Sequence, residues 1–177
     1  MIRIVQGDIT TLAVDAIVNA ANSQMLGCWQ PNHLCIDNAI HTYAGVQLRI
    51  ECAELMRRQG HLEPTGSAKI TAAWNLPSKH VIHTVGPICP GEPGERECSE
   101  LASCYRSCLD MAAAHKLGSI AFCGISTGVF GFPAQRASRI AVATVREWLD
   151  AHPDTDIDVV FNVFSERDEA LYEELLF

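Results

Sequence analysis

A chain of 177 residues is the length of one domain with a full hydrophobic core, and 48% hydrophobic with 19% charged residues excludes a disordered protein. The formal charge of -8 excludes broad, charge-driven nucleic-acid binding, which needs a basic surface, but leaves room for one small anionic ligand held by backbone N–H groups. Met1–Val5 carries no signal-peptide pattern and no apolar run approaches the ~20 residues of a membrane span, so the expected location is cytoplasmic. Eight cysteines at irregular spacings, in a chain without an export signal, are expected to be thiols.

No repeat or linker divides the chain, which predicts a single domain over 1–177. Ile2 to Val5 is a short strand closed by Gln6-Gly7-Asp8, and Ala16 to Ala20 is a second, ending in Asn19-Ala20-Ala21-Asn22. A cysteine-containing loop follows. From Ile36 to about Gln59 apolar residues fall at 36, 39, 40, 43, 44, 48, 52 and 55, the spacing of one helix, and Gly60 stops it. Ser67–Ala72 and His80–Val85 are strands, and the Pro-, Gly- and Glu-rich Cys89–Glu97 is a loop. Cys98–His115 is a helix, Ser119–Ile125 a continuous apolar strand, and Pro133 opens a helix to about Ala151. Ile157–Val163 is the last strand and Glu166–Leu176 the last helix. This alternation predicts a three-layer α/β/α domain around a mixed, largely parallel sheet. Ligands of such sheets bind beyond the carboxyl ends of the strands, and the polar motifs here follow strands.

Cys28, His33 and Cys35 place two thiols and an imidazole within eight residues, a soft donor set suited to zinc. The loop is rich in Gly, Pro and Asn, not an apolar core pattern, so metal binding is the better account. Three ligands leave a position open, as catalytic zinc sites do, although Cys52, Cys89, Cys98 or Cys123 could supply a fourth in space. Asp37 falls at the helix start, with His41 one turn later. Other pieces are weaker alone. Asp8 suits an exocyclic amine, but alone is better read as an Asx-turn or helix cap, and Asn19 and Asn22 suit sugar hydroxyls or backbone positioning but alone are better read as structural. Ser126–Pro133, with two glycines before a helix, can cradle phosphate, with Phe130 or Phe132 against a ribose or base, although by itself it is better read as a tight turn with core aromatics. Phe164 can stack on adenine or pack in the core. His83, in an apolar strand, is expected to be a hydrogen-bonded core histidine. Cys104 and Cys108, on one helix face, are expected to be simple thiols.

Taken together, Gly7-Asp8-Ile9-Thr10, Asn19-Ala20-Ala21-Asn22, Asp37-Asn38-Ala39-Ile40-His41, His83-Thr84-Val85-Gly86-Pro87 and Ser126-Thr127-Gly128-Val129-Phe130-Gly131 resemble, in order and over nearly the whole chain, the macrodomain, an ADP-ribose-binding module. The resemblance implies that Asp8, with Ile9, meets the adenine amine and Phe164 lies against the adenine. It implies that Ser126, Thr127, Gly128, Val129 and Phe130 wrap the diphosphate, that Phe132 sits near the distal ribose, and that Asn22 contacts that ribose. Hydrolytic macrodomains of this type carry a run of glycines before Asp-x-Ala-Ile-His. Here Gly27–Cys35 replaces it, which is similar to a zinc-dependent bacterial branch that removes ADP-ribose from proteins modified by a partner sirtuin-type transferase. The extra N-terminal segment often found in that branch is expected to be lacking, because the chain starts at the first strand.

The expected activity is therefore hydrolysis of mono-ADP-ribosylated protein side chains, with ester-linked Asp or Glu preferred because an ester needs less leaving-group help than an N-glycoside. Zinc on Cys28, His33 and Cys35 would polarise the ester or its attacking water, Asp37 would orient or deprotonate that water, and Asn22 would place the sugar. Two rivals are a non-catalytic ADP-ribose reader with structural zinc and a deacetylase of O-acetyl-ADP-ribose.

Overall fold

The computed structural model describes residues 1–177. Its strands are β1 (Ile2–Gln6), β2 (Ala16–Ala21), β3 (Ala68–Ala72), β4 (His80–Val85), β5 (Ser119–Phe122) and β6 (Asp158–Val163). Its helices are α1 (Ile36–Ala44), α2 (Val46–Gln59), α3 (Glu95–Ala114), α4 (Ala134–Ala151) and α5 (Glu166–Leu176), with a 3-10 turn at Ile9–Thr11. The strands form one sheet in the order β1-β6-β5-β2-β4-β3, and only β3 runs antiparallel to its neighbour. The expected mixed, largely parallel α/β/α architecture is what the chain adopts.

Burial explains the composition of the central strand. Every residue of β2 except Ala20 is buried, since β2 lies between β4 and β5 and is covered on both faces. Side chains alternate across the sheet, so neighbours on β4 serve different layers. His83 points towards α1 and α2, where it approaches Cys52, while Thr84 points towards Cys104 of α3. The main core holds 37 buried residues but none between Val18 and Ile40, so the cysteine loop lies outside it. Cys104 and Cys108 are buried free thiols of α3. No helix is long and apolar enough to cross a membrane.

Three segments differ clearly from the sequence expectation. The single helix predicted over Ile36–Gln59 is two helices, α1 and α2, broken at Gly45. Gly45 has φ 92° and ψ 176°, a conformation open essentially to glycine alone. The strand predicted over Ser119–Ile125 ends at Phe122. Ile125 is fully buried without being a strand residue, and burial alone cannot tell the two apart. The predicted loop Cys89–Glu97 also ends early, because α3 begins at Glu95; the Glu97 carboxylate accepts a hydrogen bond from the Gly94 N–H at 2.9 Å and closes its first turn.

Candidate ADP-ribose site and cysteine–histidine cluster

Five strands run parallel, so their carboxyl ends meet on one edge of the sheet. Asp8 follows β1, Asn22 follows β2, Gly86 follows β4, Ser126 lies in the loop after β5, and Phe164 follows β6. Parallel pairing thus gathers on one edge most of the residues expected to bind ligand.

Asp8 is exposed, and its Oδ1 accepts from Thr10 N at 2.9 Å and Thr10 Oγ1 at 2.7 Å. The Asx-turn reading is therefore realised, and the turn presents the carboxylate to solvent at the strand end. Ile9 is buried in the core. Phe164 is 83% exposed, which removes the core-packing alternative and leaves its ring free for stacking. Phe132 is fully buried in the main core, so its ring supports the loop from beneath; Phe130 is half-buried and Val129 exposed. The loop itself is tight. Ser126 has φ 64° and its buried Oγ has no partner, while Thr127 Oγ1 donates to Gly124 O at 3.0 Å. Phe132 N donates to Ser126 O at 2.9 Å, and Gly131 N to Gly128 O at 3.0 Å, which leaves Gly128 and Val129 at the open turn.

The cysteine loop begins at Asn22. Asn22 Nδ2 donates to Gly27 O at 3.1 Å, and Asn22 Oδ1 accepts from Gln24 N at 3.0 Å, so this side chain shapes the turn. Asn38 Nδ2 donates to His33 O at 3.0 Å and ties the far end to α1. Arg49 reaches from α2 and places its guanidinium 4.6 Å from the Trp29 ring centroid, a cation–π contact across the loop. Within it, the ligand atoms of Cys28, His33 and Cys35 lie within 4.8 Å of one another, with Cys28 Sγ 3.3 Å from His33 Nδ1. Tetrahedral zinc, with bonds of about 2.0–2.3 Å, holds its ligand atoms roughly 3.5–4 Å apart, so three half-buried soft donors at this spacing fit the ion. Cys35 also caps α1, its Sγ accepting from Asn38 N at 3.4 Å. Burial, then its contact with Cys28, pushes the metal-free Cys35 thiol up against that hydrogen bond.

Asp37 stands at the start of α1, 5% exposed. Its Oδ1 accepts from Asn19 Nδ2 at 2.8 Å, and its Oδ2 is 3.4 Å from Asn22 Nδ2. Burial raises its carboxyl above the ordinary value, opposed by the Asn19 hydrogen bond and the Arg49 charge. His41 Nε2 lies 3.5 Å from Asp37 Oδ1, but burial and Arg49 push this imidazole down to about 4. It is neutral at pH 7, so the contact is not an ion pair, and neither ring nitrogen makes a hydrogen bond.

Sequence spacing did not reveal a second grouping, buried His41, Cys52 and His83, because its members come from three elements. Both His83 nitrogens are already engaged, by Asn19 and by Thr71, and burial holds the Cys52 thiol up at about 12. His83 is thus a hydrogen-bonded core histidine, as expected, with Cys52 Sγ 3.8 Å from its Nε2 and His41 packed beside it without a hydrogen bond.

The fold and this edge belong to one family. A family model described as Macro domain matches residues 18–141, and the chain is a member of the macrodomain family. It is 64% identical over 171 residues to a protein named protein-ADP-ribose hydrolase from Treponema medium, covering 97% of this chain and 65% of that one. It is 56% identical over 170 residues to a protein of the same name from Staphylococcus aureus (strain MSSA476), covering 96% of this chain and 64% of that one. The chain thus spans about 65% of the length of these curated relatives. Among solved structures, the Oceanobacillus iheyensis macrodomain with ADP superposes with a TM-score of 0.87 at 42% identity, covering 98% of this chain and 88% of that one.

Proposed function

We propose that this chain hydrolyses ADP-ribose from mono-ADP-ribosylated protein side chains, with the ester to Asp or Glu as the preferred linkage. The observation that carries the reading is the buried Asp37 carboxylate, one oxygen held by Asn19, beside the Cys28–His33–Cys35 cluster at the ligand-binding edge of the sheet. The names of the relatives support the same reaction class. Asp8 and Phe164 take the adenine end, Ser126 to Phe130 the diphosphate, and Asn22 the distal ribose.

Asp37 accepts the proton of the attacking water, a role favoured by burial, which raises its carboxyl above the ordinary value and so makes it a stronger base. Asn19 holds Oδ1 at 2.8 Å, whereas Oδ2 accepts only the longer 3.4 Å hydrogen bond from Asn22, so Oδ2 is the more weakly held oxygen and the one to act. Remote binding of ADP-ribose aligns the scissile bond. Zinc held by Cys28, His33 and Cys35 supplies Lewis acidity to an oxygen next to the ribose when bound. The natural source of substrate is a sirtuin-type transferase, and the compartment is the cytoplasm.

The test pairs metal content with ADP-ribose release from an auto-modified protein. Stoichiometric zinc, chelator-sensitive release and loss of turnover in Asp37→Ala support a catalytic metal. Release unchanged after zinc removal makes the metal structural. One observation favours that second reading: Cys35 caps α1, so metal binding there also orders a helix start. Tight ADP-ribose binding without release would make the chain a reader, and preference for O-acetyl-ADP-ribose over modified protein would make it a deacetylase.

A further inference from the structure

We infer that His83 is a positioning residue for Asp37, acting through the side-chain amide of Asn19. The inference rests on the hydrolase reading and deepens it.

Strand register makes the contact. Asn19 of β2 pairs with His83 of β4, so the two side chains stand together on the face covered by α1 and α2. Thr71 of β3 is opposite Val81, two residues before His83 and on the same face. All four members of the chain Thr71–His83–Asn19–Asp37 are at most 5% exposed. Water cannot substitute for a lost partner without entering the core.

The directions of the hydrogen bonds follow from the ends. Asn19 Nδ2 faces Asp37 Oδ1 at 2.8 Å and His83 Nδ1 at 3.1 Å. Turning the amide would set its oxygen against the carboxylate, so Nδ2 stays between them and spends one hydrogen on each. His83 Nδ1 must then accept, which places the ring proton on Nε2. Thr71 Oγ1, 2.9 Å from Nε2, takes that proton's hydrogen bond, and its own hydroxyl turns towards Val81 O at 3.4 Å. Cys52 Sγ, 3.8 Å from the same Nε2, is a longer and weaker second neighbour, so Thr71 is the main partner of that proton.

Asn19 Oδ1 has no partner, so the amide is oriented only through Nδ2. If His83 carried its proton on Nδ1, a donor would face a donor. The amide would turn or withdraw, and the Asp37 oxygen it holds would be released. The Nε2–H tautomer therefore keeps Asn19 on Asp37 Oδ1 at 2.8 Å and leaves Oδ2 with only the longer 3.4 Å bond from Asn22. A remote hydroxyl on β3 thereby sets the orientation of the base.

The tautomer is read first, on the wild-type protein, from the 15N shifts of the His83 ring. A protonated Nε2 with an unprotonated Nδ1 is expected, and a protonated Nδ1 overturns the inference without any variant. Thr71→Val then removes the hydroxyl at nearly constant shape. Its expected effect on protein–ADP-ribose hydrolysis is a fall of roughly tenfold to a hundredfold in kcat, with little change in KM because Thr71 touches no ligand. Thr71→Ser, which keeps the hydroxyl, restores most of kcat and the wild-type shifts. Unchanged kcat in Thr71→Val overturns the positioning role. Failure of the wild type to release ADP-ribose overturns the hydrolase reading instead, and the His83 shifts still decide the hydrogen-bond order.

Discussion

A Cβ at Gly86, just after β4, would overlap Ser126 Oγ and lie 2.8 Å from Ile125 Cγ2. Both belong to the loop assigned to the diphosphate, and that loop is closed by Phe132 N to Ser126 O. Overpacking of this kind costs about 1–3 kcal/mol, so Gly86→Ala should weaken ADP-ribose by roughly fivefold to a hundredfold in calorimetric titration. Unchanged affinity would show that Ser126 is not part of the cradle. His83 yields a pH prediction. Burial, then the nearby His41, pushes it down to about 3, against 6.5 when free. The unfolded chain therefore binds the extra proton between those values, and stability present above pH 6.5 is lost as pH falls towards 3. Between pH 6.5 and 5 the loss is roughly 2 kcal/mol. Denaturant unfolding of metal-free protein should show it, and His83→Gln, if folded, should show a smaller one. Residue types alone identified the cysteine cluster, Asp37 and the core character of His83. They did not show that Asn19 joins the last two, because that contact depends on strand register.

The break between α1 and α2 turns on one backbone conformation. The apolar spacing continues across it, since both helices bury the same side against the sheet, and periodicity registers burial, not continuity. Gly45, at a positive φ of 92°, ends α1, and a Cβ there would meet Asn75 Nδ2 at 2.8 Å and Gln47 Oε1 at 2.9 Å. Gly45→Ala should lower unfolding stability by about 1–3 kcal/mol, measured by denaturant titration. A loss under half of that would mean that the two helices can merge into the single one suggested by the spacing. The start of α5, by contrast, is marked by local chemistry. Ser165 caps α5, its Oγ accepting from Asp168 N at 3.2 Å, and Glu166, Asp168 and Glu169 sit in the first turn where the helix dipole favours acids.

The molecule separates a rigid core from its cysteine loop. No main-core residue lies between Val18 and Ile40, and Ala21, Met25 and Val85 form only a small cluster under the loop. Replacing Cys28 and Cys35 by Ser should abolish stoichiometric zinc and expose residues 23–34 to protease, while the main thermal transition moves by only a few degrees. Collapse of that transition would mean that the metal stabilises the whole domain. Alternation of apolar strands with helices, the soft Cys-x4-His-x-Cys donor set and the ordered turn motifs are local, and the sequence by itself determined them. Local patterns fix hydrogen-bonding types, periodicities and ligand chemistry. The tertiary structure alone decided that Phe164 is free while Phe132 is buried, that α1 ends at Gly45, and that Thr71, His83, Asn19 and Asp37 form one line. Those outcomes depend on the order and register of strands far apart in the chain, for which no single segment carries the information.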